Sequence, residues 1–263
     1  MKAYRALARV AWSTVLVYRG NFLLQLLGVA VQTVAVLAVW RVVLSGGTGD
    51  VGGFGWEQIK AYLLVSFATT TILSSFSDAL LADRVLSGHV ALDLVKPVDY
   101  QLARFWEVLG YLMAEVITVI AMGSVLLIAF GGVPVPSGAQ AVLFLASLLI
   151  VVPLKFSLVY LTGLACFWTQ NHQGVSMARV AVTNILSGAM VPIALYPGAL
   201  RWLAEVSPFA GIVSTPALLF LGRVSGTEGV RLVLWQIVWT VALWLIARLV
   251  WRLAVGRLVV HGG

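Results

Sequence analysis

Six stretches decide what this chain can fold into. Residues 21–44, 58–81, 108–130, 140–167, 176–196 and 230–252 are each long and apolar. A helix that crosses a bilayer needs about 20 largely apolar residues, and these runs supply them. They do not alternate polar with apolar, which argues against a membrane barrel. The rest of the chain agrees, since 61% of its residues are hydrophobic and 10% charged. An ordinary soluble domain carries roughly 25% charged residues and has no means of hiding so much apolar surface. The expected fold is an all-α integral membrane domain of six transmembrane helices that fills residues 1–263.

The net charge of +7 suggests nucleic acid until the charges are placed. With the N-terminus in the cytoplasm and six crossings, the inner side holds eleven Lys and Arg residues, among them Arg5, Arg9, Arg84, Lys96, Arg179 and Arg252. The outer side holds five: Arg41, Lys60, Arg201, Arg223 and Arg231. That asymmetry is the positive-inside pattern and needs no nucleic acid to explain it. A seventh apolar stretch, 206–222, is short and contains Pro208 and Pro216. Were it to cross, Arg248, Arg252 and Arg257 would move outside, so six spans with both termini cytoplasmic is the expectation.

Residues 1–19 read as an amphipathic helix in the membrane interface. Lys2, Arg5, Arg9 and Ser13 share one side and Leu7, Ala8, Ala11 and Val15 the other. The positive charges run out to Arg19, unlike a cleavable signal. The glycine-rich stretch 45–55 is followed by Trp56 and Glu57 rather than by the Gly-Lys-Ser/Thr of a phosphate-binding loop, so it reads as a linker. No P-loop is expected in this chain. His89, His172 and His261 are far apart and lack metal-ligand spacing. Neither a nucleophile elbow nor a carboxylate cluster within the spans is present. Cys166 is the sole cysteine, which excludes an internal disulfide. Together these features point away from an enzyme.

Three places break the monotony. Residues 82–99 form the most polar segment, with Asp83, Arg84, His89, Asp93, Lys96 and Asp99 among Leu and Val, ending at Pro97. Short amphipathic helices with exposed charges on the cytoplasmic surface are expected there. Glu115 and Lys155 lie within the third and fourth spans. Each costs about 2.5–3.5 kcal/mol at the centre of an isolated span. The two spans run antiparallel and bring both residues to similar depth, so an intramembrane Glu115–Lys155 pair is expected, either structural or lining a path. Finally, "LSGAMVPIALYPGAL" (186–200) places Gly188, Pro192, Pro197 and Gly198 inside apolar sequence. Proline ends a helix, and freed backbone at membrane depth is tolerated only where protein or water covers it.

Three stretches carry a family resemblance: "YRGNF" (18–22), "LSGHVALDLVKPVD" (86–99) and "TNILSGAMVPIALYPGALRWLAEVSPF" (183–209). The second matches a Gly-x-x-x-x-x-Leu-x-x-Pro pattern through Gly88, Leu94 and Pro97. In these and in its layout, nearly the whole chain resembles the permease subunits of type-2 ABC transporters, in a branch of prokaryotic export permeases. Members usually carry Glu where His89 stands. The resemblance implies that 186–209 forms re-entrant helices at the outer leaflet, with Trp202 at headgroup level. It implies that 82–99 is the coupling segment, with Arg84, His89, Asp93, Lys96 and Pro97 facing a separate ATPase. It also implies two ABC ATPase subunits that bind ATP and Mg, a second permease as homo- or heterodimer partner, membrane lipid around the spans, and a prokaryotic inner membrane. The apolar lining favours an amphipathic or lipid-like substrate or a drug. A gradient-driven carrier or channel, or a non-transporting ATPase-linked scaffold, are the alternatives.

Overall fold

The computed structural model describes residues 2–17, 19–46, 50–73, 77–134, 136–169 and 171–256. Tyr18, Arg257 and His261 lie outside them, as do the side chains of Lys2 and Arg19. The chain is almost entirely helical. Helix α1 (Lys2–Val17) leads into α2 (Arg19–Ser45), and a small hairpin, β1 (Asp50–Val51) with β2 (Phe54–Gly55), starts α3 (Trp56–Thr71). Then come α4 (Ser77–Leu86), α5 (Val90–Leu94), α6 (Tyr100–Phe130), α7 (Gly138–Thr169) and α8 (His172–Leu186). A 3-10 turn at Ile193–Leu195 precedes α9 (Gly198–Val206), another at Pro208–Gly211 precedes α10 (Ser214–Phe220), and α11 (Gly226–Val255) closes the chain.

Four described segments are long and apolar enough to cross a membrane: Leu27–Ser45 of α2 and the helices α6, α7 and α11. The other two expected spans appear as shorter helices. At 1.5 Å per residue, α3 covers about 24 Å and α8 about 22 Å, less than the roughly 30 Å of bilayer hydrocarbon. The expected second span, 58–81, is divided. Helix α3 stops at Thr71, and Leu73 sits in the left-handed region at φ 60.

The polypeptide runs up and down between two ends, one marked by the hairpin and the other by α5. Helix α7 is the hub, packing against α4, α8, α10 and α11, while α1 lies along α6. Two apolar clusters fill the interior. At the hairpin end Leu37, Trp40, Phe54, Tyr62, Leu154, Ile212 and Leu243 pack together. Toward α5 the cluster is Leu81, Val90, Tyr100, Phe156, Tyr160 and Ala247, with Tyr100 stacked on Trp251 at 4.1 Å between ring centres.

The amphipathic reading of the N-terminus holds in form. Arg5, Arg9 and Ser13 are exposed, whereas Ala11 is buried beside Tyr111 and Ala114 of α6. The approach is close enough that a Cβ on Gly110 would sit 2.2 Å from the carbonyl oxygen of Ala8. So α1 is docked on the bundle along α6.

Candidate functional site

Helices α4 and α5 fold back on α6 through a five-residue ionic network. Asp93 meets Arg84 at 2.7 Å, Lys96 at 2.7 Å and Arg104 at 3.8 Å. Glu107 meets Arg84 at 3.0 Å and Arg104 at 2.5 Å. Sequence spacing places Arg104 and Glu107 one turn apart on α6, and chain reversal then lays them under α5. Burial alone would raise the Asp93 carboxyl, but hydrogen bonds from Lys96 and Arg84 and the charge of Arg104 hold it below its ordinary value. Burial would lower the Arg84 guanidinium, yet Glu107 and Asp93 outweigh it and raise it.

The expectation of exposed charges along 82–99 holds for Asp83, His89 and Lys96 and needs correcting at Asp93 and Arg84. Asp93 is buried, 6% exposed, and Arg84 is only partly accessible. Both are engaged inward because Arg104 and Glu107, one helix away, neutralise them. Beside the exposed charges the segment presents apolar side chains outward: Leu86, Leu92, Leu94 and Val95, the last 83% exposed. Lys96 and Pro97 are exposed beside them. His89 is exposed, its Nδ1 2.7 Å from the Ser87 hydroxyl. Asp99 accepts from the Leu102 amide to start α6 and pairs with Arg248 of α11 at 2.6 Å.

Glu115 and Lys155 converge on one feature, the end of α3. Lys155 donates to the carbonyls of Thr70 at 2.6 Å, Thr69 at 3.2 Å and Ile72. Glu115 accepts the amide of Leu73 at 2.6 Å. The last carbonyls of a helix have no partner within it, and the ammonium supplies one where water is excluded. The carboxylate does the same for the amide just beyond. Both residues are buried, 2% and 5% exposed. Their cost within apolar runs was legible in advance; their backbone partners were not.

The glycine–proline break is handled by the same logic. Tyr62 donates to the carbonyl of Gly188 at 2.8 Å, Ser66 to that of Ala189 at 2.7 Å, and Trp40 to that of Met190 at 3.0 Å. Three successive carbonyls are thus satisfied from α2 and α3. Gly188 has φ 78, and a Cβ there would meet the Tyr62 hydroxyl at 2.7 Å, so only glycine fits. Pro192 precedes the 3-10 turn and Pro197 and Gly198 open α9, on which Trp202 is 64% exposed. Tyr62 and Ser66, four residues apart on an apolar helix, were the signal for these donors.

Two cavities border the break. One of about 220 Å³ lies between α2, α3 and α8, where Gln32, Thr33, Ser66, Thr70 and Asn184 are interspersed with Val36, Leu63, Phe67 and Met190. A larger one, about 700 Å³, lies between α9, α10 and α11.

The sequence matches the family model of the ABC-2 family transporter proteins over residues 30–262. No curated protein matches it.

Proposed function

The chain belongs to the ABC-2 family of transporter proteins, and from that membership we propose that it is the six-span permease subunit of an ATP-driven exporter. In this reading α3 with the start of α4, residues 58–81, forms the second span and residues 176–196 the fifth. Residues 186–209 are re-entrant from the outer side, and both termini are cytoplasmic. The expected membrane is the cytoplasmic membrane of a prokaryote. Two separate ATPase subunits would bind and hydrolyse ATP with Mg, and a second permease, identical or not, would complete the pair.

The observation that carries the reading is the braced segment 82–99. A coupling element has to be stiff, so that a push at its surface reaches the spans, and it needs a face left for a partner. The Asp93–Arg84–Glu107–Arg104 network supplies stiffness by tying α4 and α5 to the start of α6. Leu81 of α4 lies so close to Gly163 of α7 that a Cβ there would be 2.5 Å from its side chain. Leu86, Leu92 and Val95, rimmed by His89 and Lys96, form an apolar patch of the kind that seats in a groove. The substrate path is proposed at the permease–permease interface, where the 220 Å³ cavity between the first, second and fifth spans mixes apolar with uncharged polar groups. That lining suits an amphipathic or lipid-like molecule or a hydrophobic drug better than an ion.

Co-purification in mild detergent with a co-expressed ATPase from the neighbouring genes tests this. Leu92→Glu and Val95→Glu alter the exposed patch without touching the ionic network. An ATPase that accompanies the wild type and is lost from both variants supports the coupling assignment. One that is retained by both overturns the coupling patch, and one that never accompanies the wild type overturns the ATP-driven reading and favours a gradient-driven carrier.

A further inference from the structure

We propose that the 700 Å³ cavity between α9, α10 and the first half of α11 is a binding site for a zwitterionic phospholipid in the leaflet at the hairpin end. Its volume falls within the roughly 300–1,000 Å³ of small-molecule pockets. Its mouth carries both signs of charge: Arg201 and Glu205 from α9, Glu228 and Arg231 from α11. Arg201 and Glu205 pair with each other at 2.8 Å. Glu228 and Arg231 are exposed and form no ion pair with any described residue. They stand one turn apart on the same helix, a cation and an anion at the spacing that a phosphate and its ammonium substituent bridge.

Below the mouth the character changes. Ile193, Leu218 and Leu232 form apolar walls, and Trp235 and Trp239 flank the opening. Tryptophan favours the headgroup level of a bilayer, where its ring is buried and its N–H is hydrogen-bonded. Here Trp239 donates to the Val206 carbonyl at 2.9 Å. The lining continues through Leu234 and Val238 onto an exposed apolar stripe of α11 that includes Val241 and Leu245. That stripe gives two acyl chains a surface to run along once the headgroup is seated.

The charges select the ligand. A wholly apolar molecule leaves Glu228 and Arg231 unmatched, and a small ion leaves the walls unfilled. A purely anionic lipid matches the arginines but sets its charge against two carboxylates. A headgroup with phosphate at Arg231 and ammonium at Glu228 matches the mouth, the walls and the stripe together.

The test uses the chain purified in detergent and stripped of lipid, so it needs no ATPase and stands apart from the transport reading. Phosphatidylethanolamine, phosphatidylglycerol and diacylglycerol with identical acyl chains are added in turn, and retention is read by native mass spectrometry with a thermal scan alongside. Phosphatidylethanolamine is expected to bind in preference to both others. The Glu228→Gln/Arg231→Gln double variant, at exposed positions, is expected to lose that preference by about tenfold, one charge-assisted contact's worth. Arg201→Gln/Glu205→Gln is a second variant, on a different helix, should the first prove unstable. Equal retention of all three lipids, preference for phosphatidylglycerol, or preference surviving in both variants overturns the assignment.

Discussion

Lys155→Met is the sharpest perturbation available, because the ammonium serves three carbonyls at once. Its removal leaves those of Thr69, Thr70 and Ile72 without their donor in the interior of the bundle. One buried group left unpaired costs about 1–3 kcal/mol, but the variant also removes a charge whose burial was itself costly. Three such groups come to about 3–9 kcal/mol, and the relieved cost of burying the ammonium brings the net loss down to about 3–5 kcal/mol. At about 2–4 °C per kcal/mol for a chain of this size, the unfolding midpoint in detergent falls on the order of 10 °C. Glu115→Gln is the informative companion. Its amide oxygen still accepts the Leu73 N–H, so the loss is expected to be about 1 kcal/mol. Were the two residues present chiefly to neutralise each other, either substitution would strand a charge, and the costs would be alike. Thermal scans of both single variants and the double decide it. Equal losses for the singles, or a double more stable than Lys155→Met alone, would refute the capping account.

Two further outcomes follow from the site geometry. The Asp93 carboxyl is held below its ordinary value of 3.8, so it contributes stability that is fully present above that pH and lost as acid takes it through its lowered value. Asp93→Asn should therefore cost stability at neutral pH and flatten the acid limb of a pH series of thermal scans. Gly110→Leu would drive a side chain into Ala8 and Ala11. It is expected to detach α1 from α6, seen as faster proteolysis at Arg5 and Arg9 with the remaining bundle intact.

The legible part of this fold is the part set by local chemistry. Long apolar runs foretold α2, α6, α7 and α11, and Pro192, Pro197 and Gly198 foretold the break after α8. The division of the expected second span was not foretold, because Leu73 adopts its left-handed conformation without a glycine or proline to announce it. Only the polar run of Thr69, Thr70 and Thr71 hinted at it. Glu115 and Lys155 stood out by their cost in lipid. That they answer to backbone groups of α3 depends on how three helices meet, which no single stretch records. Asp93 misled for the same reason. Read alone it is a surface charge; beneath it lie Arg104 and Glu107, and the contact between them is a product of the fold.

The clamp on residues 188–190 has one further consequence. Trp40, Tyr62 and Ser66 grip oxygens of the main chain, and oxygens of the main chain are the same whatever residue bears them. The grip is blind to the side chains of Ala189 and Met190, which face the smaller cavity. If the cavity holds the cargo as proposed, that wall can be rewritten for a new one while the architecture beneath it stays put, and a protein engineer inherits the same freedom.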